Sequence, residues 1–224
     1  MTASAPPAIA TKICGVRTPE ALAAARDGGA AYVGFIFYPP SPRYLEPAQA
    51  AEIARERGAM RAVAVTVDLD DAALDGIVAT GAFDLLQLHG AETPERVAAL
   101  RRRFGLPVMK SVAVAGPDDL TRADAYLEAA DLLLFDAKPP KDLPDALPGG
   151  NARAFDWQLL AGRSWPIPWM LSGGLTAETV GEAVRISGAR ALDVSSGVED
   201  RPGVKNPHRI AALLQAVRAL EPVA

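Results

Sequence analysis

Apolar residues along this chain gather into short unbroken runs, separated by longer stretches in which they recur every three or four positions. The runs are KICGV, YVGFIFY, RAVAVTV, LLQLH, PVMKSVAV, LLLFD, WMLSG and ALDVSS, rich in Val, Ile, Leu or aromatics and mostly without polar alternation. Strands of that kind are covered on both faces, as in a parallel sheet flanked by helices. Between them lie helix signals. TPEALAAARDGG and TPERVAALRRRFG each offer a threonine N-cap, a proline in the first turn and a closing glycine. EPAQAAEIARERG, DDAALDGIVATG, PDDLTRADAYLEAA, TAETVGEAVRISG and NPHRIAALLQAVRAL follow the same period, while DWQLLAG, after a long loop, is the weakest.

Strand and helix thus alternate eight times, with no composition shift that marks a linker. A parallel sheet closed into a single-domain (β/α)8 TIM barrel over residues 11–224, after a flexible tail at 1–10, accounts for every unit. A doubly wound sheet needs a Gly-rich nucleotide turn after its first strand. Here that turn reads CGVRTPE, with a single glycine.

Composition narrows the function classes. The 224 residues carry 23 basic and 27 acidic side chains, a net charge of −4, with both signs interspersed. Nucleic acid is therefore not an expected partner. One cysteine cannot form an intramolecular disulfide, and nothing supplies the paired Cys/His spacing of a structural metal site. The first ten residues lack the basic and apolar regions of a signal peptide, and no apolar run approaches the roughly 20 residues that span a bilayer. A cytoplasmic protein acting on a small molecule is expected, with no membrane, no metal and no cofactor, as a monomer or homodimer.

In such a barrel the chemistry sits at the C-terminal ends of the strands. The polar residues there are Cys14, Gln87, His89, Lys110, Asp136, Ser172, Asp193 and Ser195. Asp136 closes the run LLLF and is followed by AKPPKD, whose prolines forbid a helix for it to cap. The loop that follows carries no secondary-structure signal and is long enough to suggest function. Cys14 ends the first strand at the mouth, and period two places Lys12 one layer below it on the same face. An inward ammonium needs a carboxylate, for which Asp193 on the eighth strand is the first candidate, and the ammonium is expected to help lower the thiol pKa. Thiolate and carboxylic acid across a barrel mouth make a base and an acid. LSGGL, with Gly173 and Gly174, and DVSSGVE, with Ser195 and Ser196, place backbone N–H groups after strands seven and eight, where barrels bind phosphate. Arg43, in the proline-stiffened loop FYPPSPRYLEP, presents a fork suited to a carboxylate. His89 reads as a rim or packing residue.

KICG, GFIFYPPSPRY, LLQLHG, LLLFDAK, a Gly-rich loop leading to FDW, LSGGL and DVSSGVE occur here in one order. From about Lys12 to about Leu220 the chain resembles the phosphoribosylanthranilate isomerases of tryptophan biosynthesis. The resemblance implies a (β/α)8 barrel that converts N-(5-phosphoribosyl)anthranilate to 1-(2-carboxyphenylamino)-1-deoxyribulose 5-phosphate by an Amadori rearrangement. It implies Asp136 as the acid that protonates the ribose ring oxygen and Cys14 as the base that removes the C2 proton. Arg43 then matches the residue that meets the anthranilate carboxylate, Asp193 one that faces the sugar hydroxyls, and Gly173, Gly174, Ser195 and Ser196 the phosphate loops. Two departures stand out: Ala137 replaces a more usual threonine after Asp136, and GGNARA, with Ala152 and Arg153, replaces a more usual GGSGKT before FDW. A metal-dependent ribulose-phosphate epimerase would need several strand-end histidines, and His89 is the only one. A barrel that binds a sugar phosphate without turning it over, and a related aminoaldose isomerase, stay open as alternatives.

Overall fold

The computed structural model describes residues 9–138, 149 and 154–220. Eight strands close into a barrel: β1 (Ala10–Cys14), β2 (Tyr32–Phe37), β3 (Arg61–Thr66), β4 (Leu85–Leu88), β5 (Val108–Val114), β6 (Leu132–Ala137), β7 (Trp169–Leu171) and β8 (Ala191–Val194). Each pairs in parallel with the next, and β8 closes on β1 with Lys12 level with Asp193. Barrel closure leaves these strands no exposed edge. The expected tail falls mostly on residues 1–8, which lie outside the described residues, as do Ala152 and Arg153.

Period two divides the barrel into two cores. Val63, Val65, Leu85, Met109, Leu134 and Met170 fill the interior together with Cys14. Their neighbours Ile13, Val33, Phe35, Leu86, Leu133 and Leu192 point outward and pack under the helices. Those helices are α1 (Pro19–Asp27), α2 (Pro47–Ala54), α3 (Asp71–Val78), α4 (Pro94–Phe104), α5 (Pro117–Ala123), α6 (Val180–Ser187) and α7 (Pro207–Arg218). The Thr-Pro starts behave as read: Thr18 accepts from the Ala21 N–H and Thr93 from the Arg96 N–H. Gly105 ends α4 in the left-handed region at φ 63°, where a side chain is strained.

Two expectations need amendment. DWQLLAG forms a short 3-10 helix, Trp157–Leu160, instead of an α-helix. Four residues are too few to repeat the α-helical bond pattern with profit, and the tighter turn suffices. The stretch after β8 is also not a plain turn: Glu199–Arg201 and Val204–Lys205 form a small antiparallel hairpin, β9 and β10.

Candidate active site

A cavity opens at the C-terminal mouth of the barrel, the face where such barrels hold their ligands. Cys14, Asp136, Asp193, Ser172, Ser195 and Arg43 all line it. So do His89, Gly149 and an apolar and aromatic wall of Ile36, Val65, Val67 and Tyr38.

Beneath Cys14 the interior holds a buried ion pair. Lys12 is fully buried, and its Nζ donates to Asp193 Oδ1 at 2.9 Å. The partnership expected from period two is therefore present, because β1 and β8 are neighbours in matching register. The ammonium does favour the thiolate, as expected, but burial outweighs it. Burial pushes the Cys14 thiol up, and the Lys12 ammonium pulls it back only in part. Asp193 pushes in the same direction as burial, so the balance lies above the ordinary value. Burial acts against the Lys12 charge too, yet Asp193 and Cys14 together hold its pKa above the ordinary range. Room for this pairing comes from β2, where Gly34 stands level with Cys14. A Cβ there would lie 2.9 Å from Cys14 Sγ and 3.1 Å from Lys12 Nζ.

Arg43 is buried, not solvated, and forks a carboxylate of the chain itself. Its Nε and one terminal nitrogen donate to the two oxygens of Glu199, each at 2.8 Å. Gly15, at φ 76°, lets the backbone after Cys14 pass against the arginine stem; a Cβ would lie 2.7 Å from Arg43 Cδ. Glu199 also accepts from Lys205 Nζ at 2.7 Å, and that ammonium donates to the Ser195 carbonyl at 2.9 Å. Burial opposes the Glu199 charge, but Arg43 and Lys205 outweigh it and hold the carboxyl below the usual range. For Lys205 burial prevails over Glu199, and the pKa falls. The hairpin thus carries a buried cation directly behind the Ser195 loop. Sequence reasoning missed both Glu199 and Lys205, although VEDRPGVK places charges in a turn that continues directly from the phosphate-loop motif.

Asp136 stands on β6, three strands around the barrel from β1. Its Oδ1 accepts from the Ala137 N–H at 2.8 Å, and Oδ2 lies 3.4 Å from His89 Nε2. Gly173 and Gly174 follow β7 at φ 91° and 68°, and Ser196 opens a short 3-10 turn after Ser195. Ser195 reaches the cavity wall, whereas Gly173, Gly174 and Ser196 are not among the residues that line it. Lys110 is a different matter. Met109 and Ser111 face inward, so Lys110 faces out, where its Nζ binds Glu92 at 2.8 Å and the Gly90 carbonyl at 2.6 Å. It clamps the loop after β4 and does not enter the cavity.

Among the described residues, no cluster of His, Cys, Asp and Glu could hold a metal ion, and no helix is long and apolar enough to cross a membrane. Residues 11–216 match the family model described as N-(5'-phosphoribosyl)anthranilate (PRA) isomerase. A relative from Rhodospirillum centenum, an N-(5'-phosphoribosyl)anthranilate isomerase, is 56% identical over 95% of this chain and 99% of its own length. The crystal structure of phosphoribosyl anthranilate isomerase from Thermotoga maritima superposes with a TM-score of 0.83 at 32% identity, covering 95% of this chain and all of that one. A phosphoribosyl anthranilate isomerase structure in complex with reduced 1-(o-carboxyphenylamino)-1-deoxyribulose 5-phosphate superposes at 0.79, with 31% identity and the same coverage.

Proposed function

The chain belongs to the N-(5'-phosphoribosyl)anthranilate isomerase family, and on that premise we propose how its own residues divide the chemistry. The reaction is the isomerisation of N-(5-phosphoribosyl)anthranilate to 1-(2-carboxyphenylamino)-1-deoxyribulose 5-phosphate, an Amadori rearrangement in tryptophan biosynthesis. Electrons move within the substrate: C1 is reduced as C2 is oxidised. One acid and one base therefore suffice.

Asp136 gives its proton to the ribose ring oxygen as the bond from C1 to that oxygen breaks, and the nitrogen lone pair completes a Schiff base. Cys14, as thiolate, takes the C2 proton, leaving an enolamine that tautomerises to the ketone. Lys12 faces the thiol from below and favours its ionised form against the burial that opposes it. The substrate carboxylate lies on the Arg43 side, where Glu199 holds the guanidinium rigid. The phosphate lies at the loops of Gly173, Gly174, Ser195 and Ser196, with the Lys205 ammonium adding positive charge behind Ser195. Asp193, anchored by Lys12, faces the sugar hydroxyls. Residues 11–224 work as one catalytic domain, in the cytoplasm, as a monomer or homodimer.

The observation that carries this reading is the presence of Cys14 and Asp136 on the wall of one cavity, reached from opposite parts of the chain. Loss of anthranilate fluorescence on adding freshly generated phosphoribosylanthranilate tests it, with circular dichroism as the folding check. Cys14→Ala and Asp136→Asn are each expected to lower kcat by roughly 10² to 10⁴. A folded Cys14→Ala variant with near wild-type turnover removes the thiol from the role of base.

A further inference from the structure

The general acid has a neighbour that the mechanism above does not use. His89 follows β4 and lines the same cavity, its Nε2 lying 3.4 Å from Asp136 Oδ2. On the other side of the ring, Nδ1 lies 2.9 Å from Gln87 Nε2. An amide NH2 can only donate, so with this amide orientation Nδ1 accepts and the ring proton of the neutral imidazole sits on Nε2, the nitrogen that faces Asp136. Ser111 Oγ, from β5, lies 3.4 Å from the same nitrogen. Above the pair is Gly149, where a Cβ would fall 2.7 Å from His89 Nε2 and 2.9 Å from Asp136 Oδ2. Only a glycine passes that close. The backbone at Gly149 thus passes close to both side chains.

We propose that His89 is a positioning residue for Asp136, donating from Nε2 to the carboxylate that forms as Asp136 gives up its proton. The inference rests on Asp136 being the acid. As the ring oxygen takes the proton, negative charge develops on Asp136, and a fixed donor aimed at that charge lowers the barrier without reorganising. The Ala137 N–H already holds Oδ1, so His89 at Oδ2 completes a two-point grip on the carboxyl plane. Gln87 sets the tautomer and is itself fully buried. Its Oε1 has no hydrogen-bond partner among the described residues. The other titratable groups on the cavity wall are Cys14, Tyr38, Arg43 and Asp193, and Asp136 is the one in contact with the ring.

Two measurements test the assignment. The chain has two histidines, and His208, in α7 and outside the cavity, serves as an internal reference for imidazole NMR. In Asp136→Asn the His89 ring loses the carboxyl oxygen that faces Nε2, and its Nε2 resonance is expected to move while those of His208 stay put. An unmoved His89 Nε2 resonance overturns the proposal, and this readout requires no substitution at His89. In the fluorescence assay, His89→Leu is expected to lose about 10- to 100-fold in kcat, the effect of one hydrogen bond to a developing charge, with KM within about threefold. His89→Gln restores an N–H near the Nε2 position without a titrating ring, and is expected to recover most of the loss. Equal damage in both variants, or a change confined to KM, makes the role structural and refutes the proposal. Asp136→Asn assayed in parallel separates the two ideas. Retained activity there sinks the acid assignment itself, whereas a dead Asp136→Asn beside a fully active His89→Leu sinks only the role of His89.

Discussion

Replacing Gly34 with alanine adds a single methyl group to the barrel interior, and the structure states what it meets. The new Cβ would lie 2.9 Å from Cys14 Sγ and 3.1 Å from both Cε and Nζ of Lys12. Ordinary contact between such atoms begins at about 3.5 to 4.0 Å, so sulfur and ammonium must each retreat by roughly 0.5 to 1 Å. They have little room to do so. Lys12 is fully buried and committed to Asp193 at 2.9 Å, and Cys14 packs with Val63, Val65 and Met170. Overpacking of this kind costs about 1 to 3 kcal/mol. At roughly 2 to 4 °C per kcal/mol for a chain of this size, Tm should fall by about 2 to 12 °C. The effect on turnover should be larger, because about 1 Å of misplacement of a reacting group costs about 10²-fold. Thermal unfolding followed by circular dichroism gives the first number, and the anthranilate fluorescence assay the second. Gly76→Ala is the matched control: it lies in α3, a Cβ there meets nothing within 4 Å, and a helical Gly→Ala change should stabilise by up to about 1 kcal/mol with kcat unchanged. If Gly34→Ala keeps kcat within about twofold and melts with the wild type, the reasoning that Gly34 makes room for the base is wrong.

Removing the ammonium by Lys12→Met strands a buried carboxylate, and should destabilise by about 3 to 5 kcal/mol in urea unfolding. Adding Asp193→Asn should return most of that loss, and a double variant no more stable than Lys12→Met would show that the pair is not the cause. Because the folded Lys12 pKa is raised above 10.5, its contribution to stability should be complete below pH 10.5 and lost as pH rises through the folded value. The Cys14 thiol is likewise raised, so its iodoacetamide reaction rate should still be climbing beyond pH 8.5, the ordinary cysteine midpoint. Lys12→Met should move that rise to higher pH. A plateau reached at or below pH 8.5 would contradict the dominance of burial over the lysine.

Much of this molecule was legible in its order of residues. Eight apolar runs without polar alternation require cover on both faces, and the Thr-Pro helix starts between them leave a closed parallel barrel as the economical arrangement. Period two then put Cys14 and Lys12 on one inner face, and a buried ammonium demanded a carboxylate, which led to Asp193 across 181 residues of chain. The same rule, applied to β5, would have turned Lys110 away from the mouth, since Met109 and Ser111 claim the inner face. What periodicity cannot supply is distance between loops. Arg43 and Glu199 are 156 residues apart, in segments with no regular repeat to set their register, and only barrel closure brings their groups to 2.8 Å. The direction of the thiol shift escaped for a related reason: a charge partner is visible in sequence, but the burial that outweighs it is a property of the packed interior. So the residue types and strand faces came from the chain, while the Glu199 bridge, the clearance at Gly34 and the approach of His89 to Asp136 came from the tertiary structure, which alone decides separations.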